Sequence, residues 1–305
     1  MHRQFDDLML GSIELFCLAG ELGGFTAAAT AAGVTPAAVS RSVARLEARL
    51  GVRLFVRSTR QIRLTDAGRV YMEQCRQALT QFADAERMAS GQEAQLSGRL
   101  RISAPTTYAH YRLLPALPAF HREHPGIRLD LHISNRNIGF ADEAFDLAIR
   151  VRAPVDSSLI VRHLEDSALV VVAAPAYLAA HGVPRTLADL AGHECIQFDL
   201  PSSGRRIPWL FRQDGADVEF EAESSYTVSE DVLGGVTLAR AGAGLFQAYR
   251  FVVQEYLESG SLVEVLADFG GRSRPYNLLY PHSRFVPPRV RAFIDFLTAR
   301  VAATP

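Results

Sequence analysis

The chain contains no lysine: all 32 basic residues are arginine, set against 33 acids. Codon bias can produce that pattern, so alone it says little, although guanidinium groups suit bidentate recognition. Cysteine is scarce too. Cys17, Cys75 and Cys195 stand far apart, with no CxxC and no Cys/His set. That excludes a disulfide framework and a zinc site and fits a reducing compartment. No run of about 18 apolar residues exists to span a membrane. The opening MHRQFDDLML lacks the basic start and apolar run of a signal peptide. The expectation is a cytoplasmic protein without a membrane partner. Repeats and low-complexity tracts are absent as well. What is present is a chain of 305 residues, 48% apolar and 21% charged at net −1, long enough for about two domains with sizeable cores.

Against that near-neutral background one stretch stands out. Between Ser40 and Thr65 there are seven arginines (Arg41, Arg45, Arg49, Arg53, Arg57, Arg60, Arg63) and one acid, Glu47. Thr35 suits a helix N-cap and Pro36 the first helical position. Val39, Val43, Leu46 and Leu50 then stack on one face. The opposite face carries Ala37, Ser40, Arg41, Ala44 and Arg45, small residues beside two guanidiniums, which fits a helix approaching base edges. A preceding alanine-rich helix, Thr26 to Ala32, ends at Gly33, as a tight interhelical turn requires. Val52 to Arg57 and Ile62 to Leu64 read as strands of a β-wing around Ser58-Thr59-Arg60-Gln61. Arg57, Thr59, Arg60 and Arg63 near its tip suit phosphate contacts, which set affinity and register without reading sequence. A solvated face on an alanine-rich helical pair is the plain alternative. The joint pattern of cap, apolar stripe, arginine face and arginine-tipped wing favours double-stranded DNA as the partner.

Before this motif, a helix from about Asp6 to Leu22 places Met9, Ile13, Phe16 and Cys17 on one face, and Gly20 leaves room there for a neighbouring helix. After it, Thr65 can cap a long helix to about Gln95. Tyr71, Cys75, Ala78, Phe82, Ala85 and Ala89 form a heptad seam on that helix, which predicts self-pairing rather than packing on its own domain. From Gly98 the pattern alternates strands and helices, as in open α/β sheets. Expected strands are Leu100–Ser103, Ile127–Ile133, Leu147–Val151 and Leu169–Ala174, the last an apolar run of the parallel-sheet kind. Expected helices are Leu113–Glu123, Pro175–His181, Glu230–Ala241, Val252–Ser259 and Pro288–Arg300. The final one carries a stripe of Val290, Phe293, Ile294 and Leu297.

Catalytic signatures are missing. His121 and His124 are too close for a helical zinc pair, and there is no Gly-x-Ser-x-Gly elbow and no phosphate-binding Gly-x-x-x-x-Gly-Lys. Gly242-Ala243-Gly244 lacks a third glycine and reads as a tight turn. The sequence calls for no cofactor, no metal and no enzyme activity.

Taken together, these residues resemble the LysR-type transcriptional regulators, over nearly the whole chain. The N-terminal matches are Phe25-Thr26-Ala27-Ala28-Ala29, Ala38-Val39-Ser40, Leu46-Glu47-Ala48-Arg49-Leu50-Gly51, Leu54-Phe55, Arg57 and Leu64-Thr65-Asp66-Ala67-Gly68. Looser matches follow at Ile102-Ser103-Ala104-Pro105, Leu114-Pro115, Phe145-Asp146-Leu147-Ala148-Ile149-Arg150, Pro175-Ala176-Tyr177-Leu178 and Pro288-Arg289-Val290. The resemblance implies a multidomain protein: an all-α-rich winged helix-turn-helix with a long linker helix, then a two-subdomain α/β effector domain like periplasmic solute-binding proteins. It divides the chain into a DNA-binding domain at 1–65, a dimerisation helix at 66–97 and an effector-binding domain at 98–305. Subdomain I would take about 98–165 and 271–305, subdomain II about 166–270. It also implies a homodimer or homotetramer, a small-molecule effector in the cleft, and DNA contacts from Thr26, Thr35, Pro36, Ala37, Ser40, Arg41 and Arg45. Two departures stand out. Thr30 and Ala32 replace a charged residue and a leucine, which predicts looser packing of the first helices. Phe246-Gln247-Ala248-Tyr249-Arg250 replaces an aliphatic, proline-containing run, which predicts a more polar and aromatic pocket if that run lines the cleft.

For the effector, Thr106 and Thr107 lie on a strand-to-helix turn that offers N–H and hydroxyl donors, although simple capping is the alternative. Asn135, in the loop after the second strand, and Arg150, at a strand end beside Asp146, are further candidates. Asp231 and Leu233 follow by analogy with the family. The expected ligand is a small anion or carboxylate.

Overall fold

The computed structural model describes residues 8–57, 62–89, 96–136, 145–151, 159–282 and 286–302. It divides into two compact units, the first built on residues 1–94 and the second on 95–138 and 145–305. Among the described residues no helix is long and apolar enough to cross a membrane.

The first unit runs α1 (Leu8–Leu22), α2 (Phe25–Ala32), α3 (Pro36–Leu50), β1 (Phe55–Arg57), β2 (Ile62–Leu64) and α4 (Asp66–Ala89). Gly33 ends α2 at φ 66°, where a side chain would be strained. Phe16, Val39, Val43, Leu46 and Leu54 form the core. Phe55 stands edge-on to Phe16 at 5.4 Å and to Phe25 at 5.6 Å. Thr30 and Ala32 are exposed, while Ala28 and Ala29 are the buried residues of α2. The looser packing expected from the first pair therefore does not arise. The expected burial of Leu50 also fails: it is 38% exposed, and Ser42 and Glu47 complete the buried face of α3 instead.

Two glycines let α4 lie close. A Cβ on Gly20 would meet Met72 Sδ at 2.6 Å, and one on Gly68 would sit 2.0 Å from the Leu54 carbonyl oxygen. Thr65 caps α4, its Oγ1 accepting from the Gly68 N–H at 2.9 Å. The predicted heptad seam splits. Tyr71 and Cys75, with Met72 and Leu79, pack into the core of this same unit, so its N-terminal half serves the head rather than a partner. Phe82, further along, is 56% exposed; the side chains of Ala85 and Ala89 lie outside the description.

The second unit begins with β3 (Gly98–Ala104), a short helix α5 (Thr106–Tyr108), a π-helical turn (Ala109–Leu113), α6 (Leu114–Glu123), β4 (Ile127–Ile133) and β5 (Leu147–Arg150). Next come β6 (Leu159–Ala173), α7 (Pro175–His181), β7 (Gln197–Asp199), β8 (Trp209–Gln213), β9 (Ala216–Phe220), β10 (Thr227–Ser229) and α8 (Leu233–Arg240). The unit ends with β11 (Phe246–Tyr249), α9 (Arg250–Glu258), β12 (Val263–Val265), β13 (Ser273–Pro281) and α10 (Pro288–Ala302). Strands pair in the order β11-β6-β13-β5-β3-β4, with β12 also on β6.

Strand β6 organises this unit. Residues Leu159 to Ala168 pair with β13, and Leu169 to Ala173 pair with β11 and β12. All these pairings are antiparallel, so the expected parallel strand at Leu169–Ala174 is corrected: it is the end of a fifteen-residue antiparallel strand. The polar half, with Arg162, His163, Glu165 and Asp166, carries no apolar run to announce it. Along the buried half, side chains alternate by strand geometry. Val170 and Val172 face Phe246, Val236 and Val252; Val171 and Ala173 face Trp209, Phe211 and Tyr177. A separate core gathers Leu100, Ile102, Tyr108, Phe120, Tyr276 and the α10 stripe of Val290, Phe293, Ile294 and Leu297, as expected. The unit thus has two α/β subdomains joined by β6 and β13.

Candidate functional site

On α3 the local chemistry fixes which side faces out. The Thr35 side chain accepts from the Ala38 N–H at 3.2 Å, with Pro36 in the first turn. Val39 and Val43 are fully buried. Thr35, Pro36, Ala37, Arg41 and Arg45 are consequently exposed and Ser40 half-buried, with Thr26 exposed at the start of α2. Arg45 Nη2 donates to Ser42 Oγ at 3.3 Å, which holds the guanidinium along the helix. The two strands of the wing pair antiparallel with Val56 opposite Arg63, and Arg63 is exposed. The first strand starts at Phe55 rather than Val52. Arg57 closes it, although its side chain is outside the description, and Thr59 and Arg60 fall outside the described residues.

The reason for the later start is Glu47. Its Oε1 accepts from the backbone N–H of Leu54 at 2.8 Å and of Phe55 at 3.1 Å, and its Oε2 pairs with Arg53 at 3.1 Å. At 4% exposure it is a buried carboxylate that ties α3 to the wing. Its sequence signal was position: the lone acid of an arginine-rich stretch, beside Leu46 and one turn after Val43 on the apolar face.

In the second unit a cavity of about 70 Å³ opens between the subdomains. Its walls include Thr107, Phe198, Trp209, Phe246, Tyr249 and Arg274. The segment Phe246–Tyr249 therefore does line the cleft, adding two aromatic rings and one amide to a mostly apolar wall. Gln247 is committed to the wall, exchanging two 2.9 Å hydrogen bonds with the Leu210 backbone. Arg274 Nη2 donates to the Pro208 carbonyl at 2.8 Å. Burial raises the Tyr249 phenol above its ordinary pKa, partly offset by the Arg274 charge. Thr107 Oγ1 lies 2.9 Å from the Tyr276 hydroxyl. The register of β13 on β6 shifts between Tyr276 and Asn277, a bulge beside the cavity of the kind that re-aims side chains.

Of the expected effector residues, only Thr107 reaches this cavity. Thr106 and Asn135 meet each other instead: the Thr106 N–H donates to Asn135 Oδ1 at 3.1 Å, and Asn135 Nδ2 donates to Thr106 Oγ1 at 3.0 Å. Asn135 Nδ2 also reaches across to the Glu230 carbonyl at 2.5 Å, and Arg136 grips the Glu230 carboxylate at 2.8 Å. These contacts form a polar latch between the subdomains. Arg150 is buried, donating to Ser103 Oγ at 2.7 Å and to the Ile149 and Arg136 carbonyls. Asp146 serves the Arg101 N–H and Arg289. Asp231 accepts from the Leu233 N–H at 3.0 Å as a local cap. Leu233 packs on the subdomain core; its neighbours Val232 and Val236 line the cavity.

Comparison with known proteins agrees with both halves of this description. Residues 10–69 match the model of bacterial regulatory helix-turn-helix proteins of the lysR family, and residues 93–302 match the LysR substrate binding domain. The regulator CrgA of Neisseria meningitidis is 33% identical over 243 residues, 79% of this chain and 80% of its own. The CrgA structure superposes with a TM-score of 0.60 at 31% identity, covering 95% of this chain and 98% of that one. Full-length AphB, a virulence activator of Vibrio cholerae, gives 0.60 at 29% identity with the same coverage. The chain belongs to the LysR family: it is a DNA-binding transcriptional regulator with an effector-binding domain of two α/β subdomains.

Proposed function

We propose that this regulator reads its operator with the exposed face of α3 and senses its effector in the cavity bounded by Thr107, Trp209, Tyr249 and Arg274. Thr26, Thr35, Pro36, Ala37, Ser40, Arg41 and Arg45 meet the major groove, where Arg45 takes a guanine edge. Arg57, Thr59, Arg60 and Arg63 hold flanking phosphates. The division of labour follows the chain: 1–65 for DNA, 66–97 for pairing, 98–305 for the effector. Two chains pair along α4, as a homodimer or a homotetramer, which sets two recognition helices against paired half-sites. The exposure of Phe82 supports that pairing. The protein works in the cytoplasm, without enzymatic turnover.

One observation carries this reading: on α3 the arginine-bearing face is the exposed one, while the apolar stripe is shut away. An effector alters DNA binding only as far as it binds two forms of the protein unequally. The joint between the subdomains, spanned by β6, β13 and the Arg136–Glu230 latch, is the element that such a bias moves. Fluorescence anisotropy on the intergenic DNA beside the gene, against random DNA, tests the operator reading. Preference for the native fragment with a steep salt slope supports it; no binding even at low salt refutes it.

A further inference from the structure

Behind the cavity wall, one buried hydroxyl links the two subdomains. Tyr276, on β13, is fully buried and is not among the residues that line the cavity. Its hydroxyl lies 2.9 Å from Thr107 Oγ1 on α5 and is hydrogen-bonded to the hydroxyl of Tyr249, the last residue of β11. Thr107 and Tyr249 both line the cavity. Thr107 follows β3 in one subdomain; β11 pairs with the Leu169–Val172 end of β6 in the other. The Tyr276 oxygen therefore stands between two wall residues that come from opposite subdomains.

The Tyr276 ring sits among other rings, with Tyr108 at 4.7 Å, Tyr249 at 5.4 Å and Phe251 at 6.3 Å. In such surroundings a hydroxyl that loses its partner keeps the full cost of its desolvation. Of its two bonds, the one to Thr107 lies within a single subdomain, where the neighbouring Tyr108 shares a core with Tyr276. The bond to Tyr249 is the one that crosses the joint. Tyr276 also marks the point where β13 shifts register on β6, close to where β6 passes from one subdomain to the other.

We infer that Tyr276 is a positioning residue of the cavity: its hydroxyl, held between Thr107 and Tyr249, sets the separation of the walls and keeps the cleft closed. It acts through those two wall residues. Opening the cleft breaks the bond to Tyr249 in a buried, ring-lined place, so the closed arrangement is favoured by the chain's own groups. This holds whichever molecule the cavity takes, and it stands or falls apart from the effector reading.

Trp209 is the only tryptophan of the chain, is 3% exposed and lines the cavity, so acrylamide quenching of its emission reports how open the cleft is. The full-length protein is measured with no ligand added. Tyr276→Phe keeps the ring and removes the hydroxyl; a lost neutral hydrogen bond should raise the quenching constant about twofold or more. Tyr249→Phe cuts the same bond from the other side and should raise it as well, which keeps the test available if one variant folds poorly. The double variant should not exceed Tyr276→Phe, since both changes remove one shared bond. Thr107→Val, which cuts the bond inside one subdomain, should raise quenching less. Leu278→Val, a core change on the same strand, controls for plain destabilisation: it should lower the thermal midpoint and leave quenching at the parent value. Unchanged quenching in either folded tyrosine variant would overturn the inference. So would additive effects in the double variant, or a rise in Leu278→Val equal to that in Tyr276→Phe.

Discussion

On α3, every group proposed to face DNA comes from one short run of sequence, lies exposed or half-buried and is aimed by a single helical repeat. In the cleft, the groups lining the cavity come from points as distant as Thr107 and Arg274, and the walls are mostly apolar. The first surface works by charge in high dielectric, where phosphates and counterions dominate. The second works by shape and by a few desolvated donors. The contrast predicts different sensitivities: DNA affinity should fall steeply with salt, whereas acrylamide quenching of Trp209 in the cleft should change only shallowly.

The largest expected effect breaks the head without touching its DNA surface. Glu47→Ala leaves the buried N–H groups of Leu54 and Phe55 without their acceptor, a cost of about 2–5 kcal/mol. DNA binding should collapse while the emission of Trp209, in the core of the second unit, is unchanged. Simultaneous loss of both would mean that the two regions do not fold independently. Glu47→Gln, which keeps one acceptor, should fall between.

Next comes the pairing of α4. Phe82→Arg replaces an exposed ring on the proposed pairing face with a charge, so sedimentation should show smaller assemblies and operator affinity should drop by about a hundredfold through lost avidity. Unaltered assembly would place the pairing surface elsewhere.

A smaller effect concerns the cysteines. Burial pushes Cys17 and Cys195 up to about 12 and raises Cys75 as well. A raised thiol pKa means less thiolate, so at pH 8 only about one molecule in ten thousand is reactive at Cys17 or Cys195. Alkylation of the native protein should be slow and should accelerate on unfolding. Rapid native labelling would contradict the buried placement.

The smallest effect belongs to the latch. Arg136 and Glu230 are both largely exposed, and exposed pairs contribute little. Arg136→Ala should therefore leave the thermal stability of the second unit almost unchanged. A larger change would make the latch a main determinant of cleft closure.

The same contrast explains what was legible in the sequence. The head could be read because its determinants are local: Thr35 and Pro36 announce the start of α3, Gly33 the turn, and the spacing of Val39, Val43 and Leu46 the buried face. Glu47 reads locally as a single charge, since nothing local says that the N–H groups seven and eight residues on need it. In the second unit, Pro175–His181 and the α10 stripe were legible for the same local reason. The cleft was not. Trp209 and Arg274 carry no motif, and they meet only because β6 and β13 run between both subdomains. Phe246–Tyr249 was legible in part, through its departure from the family pattern. Thr106 and Arg150 have suitable chemistry, but the Thr106 N–H is committed to Asn135 and the Arg150 guanidinium to Ser103 and backbone carbonyls.

The most direct test of the account is a salt titration of Arg45→Ala beside the parent protein, on the native intergenic fragment and on random DNA. If Arg45 reads a base, the variant loses about 1–3 kcal/mol on the native fragment and little on random DNA. Arg60→Ala, run alongside, should weaken both equally and reduce the salt slope by about one unit. Equal losses on both DNAs for Arg45→Ala would contradict the assignment of α3 as the element that reads sequence.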